Sequence, residues 1–441
     1  MDNRVFKLKI SDNFEVYYLR REKFPIFYTN LLIDKGSVHE KGKRGIHNFT
    51  LKLINEGPVG KSPVDFSQEL ERMGLRLKVR SGYSISTFES DGLSDFFSDS
   101  ITKLSEIMTA PAFRGEDFKR LKDQYVTAIQ LGFQDPEFIA SYFCNYFYFQ
   151  NVPELRALPD FGLIPDVLSL ELNEIKDFYA GLLGKTRIRV VVVSNLDLQE
   201  RIQDFEVLKD VRSAEFTLVN LRESYPKFDK IYFVDMDIEQ AHIRVIAPSI
   251  PRSHPSYQHL KVANFIFGGS DLSSRLMKRL RVKEALTYSA SSSINVGIPL
   301  NGNIVGAYKV IACETNKRNV RRAFDLIFDE LSKVHKEGFS EEELQDAVSF
   351  FKGNTPLKME SYAQLLSMIT EEVIYELPYF HFEEEVNEIK GIKIQELNDV
   401  ALRFFNFDHP FILIVGKAST LKEYFTDLEA EFIDPMEYIK G

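Results

Sequence analysis

Glu174-Ile175-Lys176-Asp177, leading into the apolar run Val190–Val193, has an ungapped counterpart 222 residues later, where Glu396-Leu397-Asn398-Asp399 leads to Ile412–Val415. A second correspondence keeps nearly the same distance: Phe113, Glu116 and Asp117 match Phe339, Glu342 and Glu343 at an offset of 226. Each partner reads as a helix running into a strand, a pattern that two unrelated segments can share. Two offsets close to half the chain length favour an internal duplication. The sequence therefore predicts an α+β fold of two tandem homologous domains, each a mainly antiparallel sheet packed with helices. The expected boundaries are residues 1–215 and 229–441. Between them a linker is expected over 216–228, where periodicity fades and Tyr225-Pro226-Lys227 punctuates the chain.

The composition agrees with this size. A chain of 441 residues exceeds one ordinary core, and 44% apolar with 27% charged residues is the balance of a globular protein. A net charge of -10 argues against nucleic acid and anionic membrane as partners. No run of about 18 apolar residues is present, so no membrane span is expected. The opening MDNRVFKLKI lacks the apolar region of a signal peptide. The chain is expected to be cytoplasmic, or periplasmic if an export signal has been removed. Cys144 and Cys313 lie far apart in apolar surroundings and read as two buried free thiols.

Within the first half, short strands are expected over 4–10, 14–19 and 26–33, and paired strands over 75–79 and 84–90. The aromatic stretch 137–149 reads as a helix packed in a core. Residues Gly45–Pro58, GIHNFTLKLINEGP, read as a helix entered through a glycine turn and stopped by Asn55-Glu56-Gly57-Pro58. Ile46, Phe49 and Leu53, with Leu51, supply an apolar stripe, and Asn48 and Lys52 stand one turn apart. That spacing suits two metal ligands with a general base between them.

These features resemble the insulinase/pitrilysin-type zinc peptidases, in the short two-domain branch of processing-peptidase-like proteins. Asn13-Phe14-Glu15-Val16, Pro25, Lys35-Gly36-Ser37 and Gly45 follow the family's opening. On that alignment the inverted zinc motif H-x-x-E-H falls on Asn48-Phe49-Thr50-Leu51-Lys52. The family's third ligand, a Glu, falls on Ala128, and a supporting Glu falls on Leu121. Asn is a weak zinc ligand, Lys is protonated, and Leu and Ala carry no donor. Leu51 also leaves no base to activate water. The family's substrate-binding N-A pair falls on Lys78 and Val79. His47 points about 100° away from the ligand direction and reads as a surface or satisfied histidine. His254 and His259, five residues apart, do not share a helix face. No zinc site and no other cofactor are expected in this chain.

The second half keeps more of the family pattern. FGGSDLSSRLMKRLRVKEALTYSASSS, residues 267–293, matches the family's glycine turn, helix and strand, with Ala285 where a Gly is usual. The helix is expected to start near Ser273. In the family an Arg and a Tyr seven residues apart contact the substrate at the zinc; here they are Arg281 and Tyr288. Without the resemblance, Arg281 is one cation of a solvated run (Lys278, Arg279, Arg281, Lys283), and Tyr288 is a strand residue.

The resemblance implies a non-catalytic subunit of a heterodimeric zinc peptidase, inactive alone. Its partner would be a homologous subunit with an intact H-x-x-E-H motif and the zinc. Peptides or unfolded segments would be held in a chamber between the chains, with Arg281 and Tyr288 acting in trans. The alternative implied is a structural or peptide-binding protein without proteolytic role, like the core proteins of the cytochrome bc complex.

Overall fold

The computed structural model describes residues 5–182, 187–208, 227–270, 272–300, 303–377 and 381–438. Residues 216–226 of the expected linker lie outside the described residues. The strands are β1 (Val5–Ser11), β2 (Phe14–Arg20), β3 (Ile26–Ile33), β4 (Arg76–Ser81), β5 (Ser86–Leu93), β6 (Ile188–Ser194), β7 (Ile231–Asp235) and β8 (Gln240–Pro248). They continue with β9 (Thr287–Asn295), the hairpin β10 (Ile298–Leu300) and β11 (Asn303–Val305), β12 (Tyr308–Asn316), β13 (Phe411–Gly416) and β14 (Ala430–Ile433). The helices of the first half are α1 (Ile46–Ile54), α2 (Pro63–Met73), α3 (Phe97–Thr109), α4 (Gly115–Gly132), α5 (Pro136–Tyr148), α6 (Ile164–Leu168) and α7 (Leu172–Leu182). Those of the second are α8 (Tyr257–Asn264), α9 (Arg275–Met277), α10 (Val320–Glu337), α11 (Glu341–Lys358), α12 (Tyr362–Ile374), α13 (His381–Gly391), α14 (Ile394–Phe404) and α15 (Ala418–Tyr424). Among the described residues no helix is long and apolar enough to cross a membrane.

Two six-stranded sheets repeat one plan. The first runs β1-β2-β6-β3-β5-β4 and the second β14-β7-β13-β8-β12-β9. Aligning them pairs β2 with β7, β6 with β13, β3 with β8, β5 with β12 and β4 with β9. The matched strands β6 and β13 carry the two runs, Val190–Val193 and Ile412–Val415, that flagged the duplication. Only the outer strand differs in origin. In the first sheet it is the N-terminal hairpin strand β1, antiparallel to β2; in the second it is β14, parallel to β7. Four of the five strand pairs in the first sheet and three of the five in the second are antiparallel, so the mainly antiparallel α+β architecture is as expected.

The chain divides into two compact units that interleave along the sequence. One contains residues 1–128, 157–220 and 356–382; the other contains 129–156, 221–355 and 383–441. Helix α12 therefore belongs with the first sheet, and α5 with the second.

In the first unit β6 is buried on both faces, which is why it reads as an unbroken branched apolar run. Tyr17, Leu19, Leu32, Val191 and Val193 meet Tyr362, Leu365, Leu366, Ile369 and Val373 of α12 on one face. Each such side chain removed from water contributes about 1.5–3 kcal/mol. Arg189, 3% exposed, ties the same helix to the sheet: its Nη1 donates to the Val373 carbonyl at 2.7 Å, and its Nη2 pairs with Asp34.

In the second unit, Ala241, Ile243, Val245 and Ala247 of β8 face a core shared with α8, α10 and α14. Strand alternation sends His242, Arg244 and Ile246 to the opposite face. There α5 lays its aromatic side, with Phe147 stacked on Tyr232 at 4.9 Å and Tyr148 edge-on to Phe411 at 6.1 Å. The expectation that 137–149 is a core helix holds. Cys144 and Cys313 are both buried and free.

Candidate functional site

Helix α1 begins at Gly45, whose φ of 110° is open to glycine and costly to other residues. A Cβ there would also lie 2.4 Å from Val167 Cγ2. The first turn of a helix exposes unpaired N–H groups. Here they are capped from a distance by Glu40, whose Oε1 accepts the Gly45 N–H at 3.0 Å and the His47 N–H at 2.9 Å. The other carboxylate oxygen is buried with no hydrogen-bond partner. Burial dominates and pushes the Glu40 pKa up to about 7, against the pull of the two N–H groups and Arg44. The helix ends at Ile54, and Gly57 follows with φ 106°, so the expected start and stop are both met.

The helix is buried nearly all round, not along one stripe: of its nine residues only Lys52 is exposed. His47 is fully buried, its Nδ1 2.8 Å from Ser81 Oγ and its Nε2 2.9 Å from Ser86 Oγ. Burial, reinforced by nearby His39, lowers its pKa to about 3. It is thus a neutral, hydrogen-bonded core histidine.

The zinc-motif positions do not fit a zinc ion. Asn48 is buried and donates its amide N–H to the Asp160 carbonyl at 2.6 Å, which spends the side chain on a loop. Leu51 is 2% exposed and packs in the core. Lys52 lies on the surface with its Nζ 6.0 Å from the centre of the Tyr125 ring. Although the residue is exposed, the ammonium rests close enough to the protein wall for desolvation to lower its pKa, against the attraction of Asp160. A cation occupies what a ligand would need. On α4, Ala128 is exposed and Leu121 is buried at 9%. No pair of these five positions offers two metal-binding donors.

Lys78 and Val79 lie on β4, the edge of the first sheet, opposite Glu89 and Phe88. Arg76 and Arg80 flank them outward, paired with Asp91 at 2.6 Å and with Glu89. An edge bearing three cations is protected against unspecific strand pairing.

The second unit assembles the other pair of residues singled out above. Gly268 lets the turn before α9 approach β9, since a Cβ there would sit 2.7 Å from the Ser292 nitrogen. The helix starts at Arg275, two residues beyond the expected place: Ser274 is the cap and accepts the Met277 N–H at 3.3 Å. A π-helical turn over Lys278–Lys283 follows, a widened geometry frequent at functional sites. In the cationic run, Arg279 is engaged by Glu284 at 3.2 Å and Glu330 at 3.7 Å. Arg281 is exposed and donates from Nη1 to the Tyr288 carbonyl at 3.3 Å. Tyr288, the second residue of the edge strand β9, is 82% exposed, far more than a packing tyrosine needs. The two side chains are brought to one place and neither is committed to a core.

Ala285 explains why a glycine is usual in this turn: its φ is 53°, the left-handed region. A Cβ there costs about 1 kcal/mol. Ala285→Gly is accordingly expected to stabilise the protein by about 0.5–1 kcal/mol in denaturant titrations; an unchanged or lower midpoint would show that the turn relaxes around alanine.

Sequence reasoning missed one cluster. Glu137 on α5, His242 on β8 and Glu314 on β12 present their ligand-type atoms within 4.8 Å of one another. These residues are far apart in the chain and carry no motif spacing. His242 and Glu314 meet because β8 and β12 pair them directly across the ladder.

Comparison with known proteins agrees with this picture. Residues 169–350 match the family described as the peptidase M16 inactive domain. The chain is 23% identical to the Helicobacter pylori protein named Non-peptidase homolog YmxG, over 86% of this chain and 89% of the relative. It is 20% identical to the Bacillus subtilis protein named Uncharacterized zinc protease YmxG, over 87% and 91%. In fold it is similar to the peptidase M16 inactive domain from Pseudomonas fluorescens, with a TM-score of 0.84, 19% identity and coverage of 94% of this chain and 98% of that one. In its duplicated sheets, and over residues 169–350 in its sequence, the chain is thus similar to the peptidase M16 inactive-domain proteins.

Proposed function

We propose that the protein is the non-catalytic subunit of a heterodimeric zinc peptidase. Its partner is a homologous chain that carries an intact H-x-x-E-H motif and supplies the zinc-dependent hydrolysis. The chain binds peptides or unfolded segments in the chamber formed with that partner, and it presents Arg281 and Tyr288 to the partner's active site. One contrast supports this reading. The positions of the zinc motif are filled by a buried amide, a core leucine, a surface ammonium and an alanine, whereas Arg281 and Tyr288 stay exposed and adjacent. A guanidinium and a phenol held at a sheet edge suit the backbone and the developing oxyanion of an extended peptide. The edges β4 and β9 have backbone groups available for an added strand.

Sedimentation of the chain mixed with such a partner, alongside a peptide-cleavage assay, tests the proposal. The two should form a heterodimer that cleaves, while this chain alone should not. Failure to associate, or full cleavage by this chain alone, would overturn it.

The name Non-peptidase homolog given to the Helicobacter pylori relative favours a second reading, a structural or peptide-binding protein with no proteolytic role. Peptide binding by this chain alone, unaffected by any zinc-motif partner, would select that reading.

A further inference from the structure

We propose that Glu137, His242 and Glu314 form a binding site for one divalent cation of the zinc class, separate from the degenerate motif helix of the first unit. His242 carries the argument. It is 7% exposed, and its Nδ1 is buried with no hydrogen-bond partner. A buried imidazole nitrogen is normally satisfied, so an orphan one needs an explanation. This nitrogen is aimed at two carboxylates, 3.8 Å from Glu137 Oε2 and 3.9 Å from Glu314 Oε1. Both distances are too long for hydrogen bonds. Two ligand atoms on one tetrahedral zinc at about 2.1 Å stand about 3.4 Å apart. The two histidine–carboxylate separations exceed that by about 0.4–0.5 Å, and the three ligand atoms all lie within 4.8 Å of one another, so the exposed glutamates close the site by moving inward.

The three ligands come from three elements, α5, β8 and β12, so their spacing is set by sheet register and helix docking. The glutamate side chains are 54% and 40% exposed, giving an ion a route in from solvent over a buried histidine. One imidazole nitrogen with two carboxylate oxygens is a donor set for zinc or its first-row neighbours, and it leaves a position for water.

Arg244 is the competing cation, because its Nη2 bonds Glu137 Oε2 and its Nη1 donates to the Ile243 carbonyl. A single guanidinium does not neutralise two carboxylates, and it does not satisfy the imidazole. Arg244 instead fixes the direction of Glu137, the way outer partners orient metal ligands. Thr287 Oγ1 donates to the backbone carbonyl of Glu314 and steadies that end of β12. A bound ion would clip the first turn of α5 to the sheet.

The test uses the full chain, stripped with EDTA and dialysed against micromolar zinc, with bound metal counted by mass spectrometry. The expected result is about one zinc per wild-type chain, at least a tenfold loss of affinity in His242→Ala and Glu314→Gln, and no change in Lys52→Ala. Glu314→Gln is isosteric on a half-exposed residue, so it keeps the comparison valid should His242→Ala fail to fold. A zinc-dependent rise in the melting temperature should appear in the wild type and vanish in Glu314→Gln. A wild-type chain that retains no zinc, or a Glu314→Gln chain that binds as well as wild type, would overturn the proposal.

Discussion

Glu40→Ala should destabilise the first unit by about 3 kcal/mol, because it strips two N–H groups of α1 of their acceptor and leaves them buried. Urea unfolding followed at neutral pH checks this, and a loss under about 0.5 kcal/mol would mean that the cap is dispensable. The same residue predicts a pH signature. The Glu40 carboxyl moves from an ordinary 4.5 to about 7 on folding, so the folded state holds its proton more tightly. The resulting stabilisation is full below pH 4.5 and is lost as the pH rises through about 7. His39 and His47 work in the opposite direction. Their values fall from 6.5 to about 4 and about 3, so their contribution is present above pH 6.5 and is lost on acidification. Glu40→Gln isolates the first effect. The stability of the wild type relative to Glu40→Gln should grow as the pH is lowered from 8 to 5, by up to about 3 kcal/mol. A difference that stays constant over that range would contradict the assignment.

Much of the fold was legible because the repeated helix–strand units lie at central strands. A strand buried on both faces is predominantly apolar, so the runs Val190–Val193 of β6 and Ile412–Val415 of β13 stand out in the sequence and report the duplication. Gly45 and Gly57 marked α1 correctly because their positive φ values tolerate little else. The interleaving was not legible. The aromatic face of α5 and the apolar face of α12 each demand a core, but periodicity does not say which sheet supplies it. Nor did position on α1 reveal that His47 is buried, since its partners Ser81 and Ser86 come from a hairpin more than thirty residues away. The Glu137–His242–Glu314 cluster was hidden for the same reason: it exists only through the register of β8 and β12 and the placement of α5. At the degenerate motif the loss of ligands was readable residue by residue. What each replacement does instead, such as Asn48 holding the Asp160 carbonyl, needed coordinates.

The central claim is that this chain lends chemistry to a partner's active site through two exposed side chains. Arg281 is free to reorient, since it makes one long hydrogen bond to a backbone carbonyl and, among the described residues, no ion pair. Tyr288 projects from the same edge. Removing either should leave folding intact, because neither fills a core. If the guanidinium stabilises an oxyanion, its loss should lower kcat by about 10²–10³-fold, with a smaller change in KM. Loss of the phenol hydroxyl should lower it by about tenfold. The decisive measurement is kcat for peptide cleavage by the reconstituted heterodimer carrying Arg281→Ala or Tyr288→Phe in this chain, with heterodimer formation verified for each variant. The account predicts those losses with assembly unchanged; wild-type kcat in both variants would contradict it.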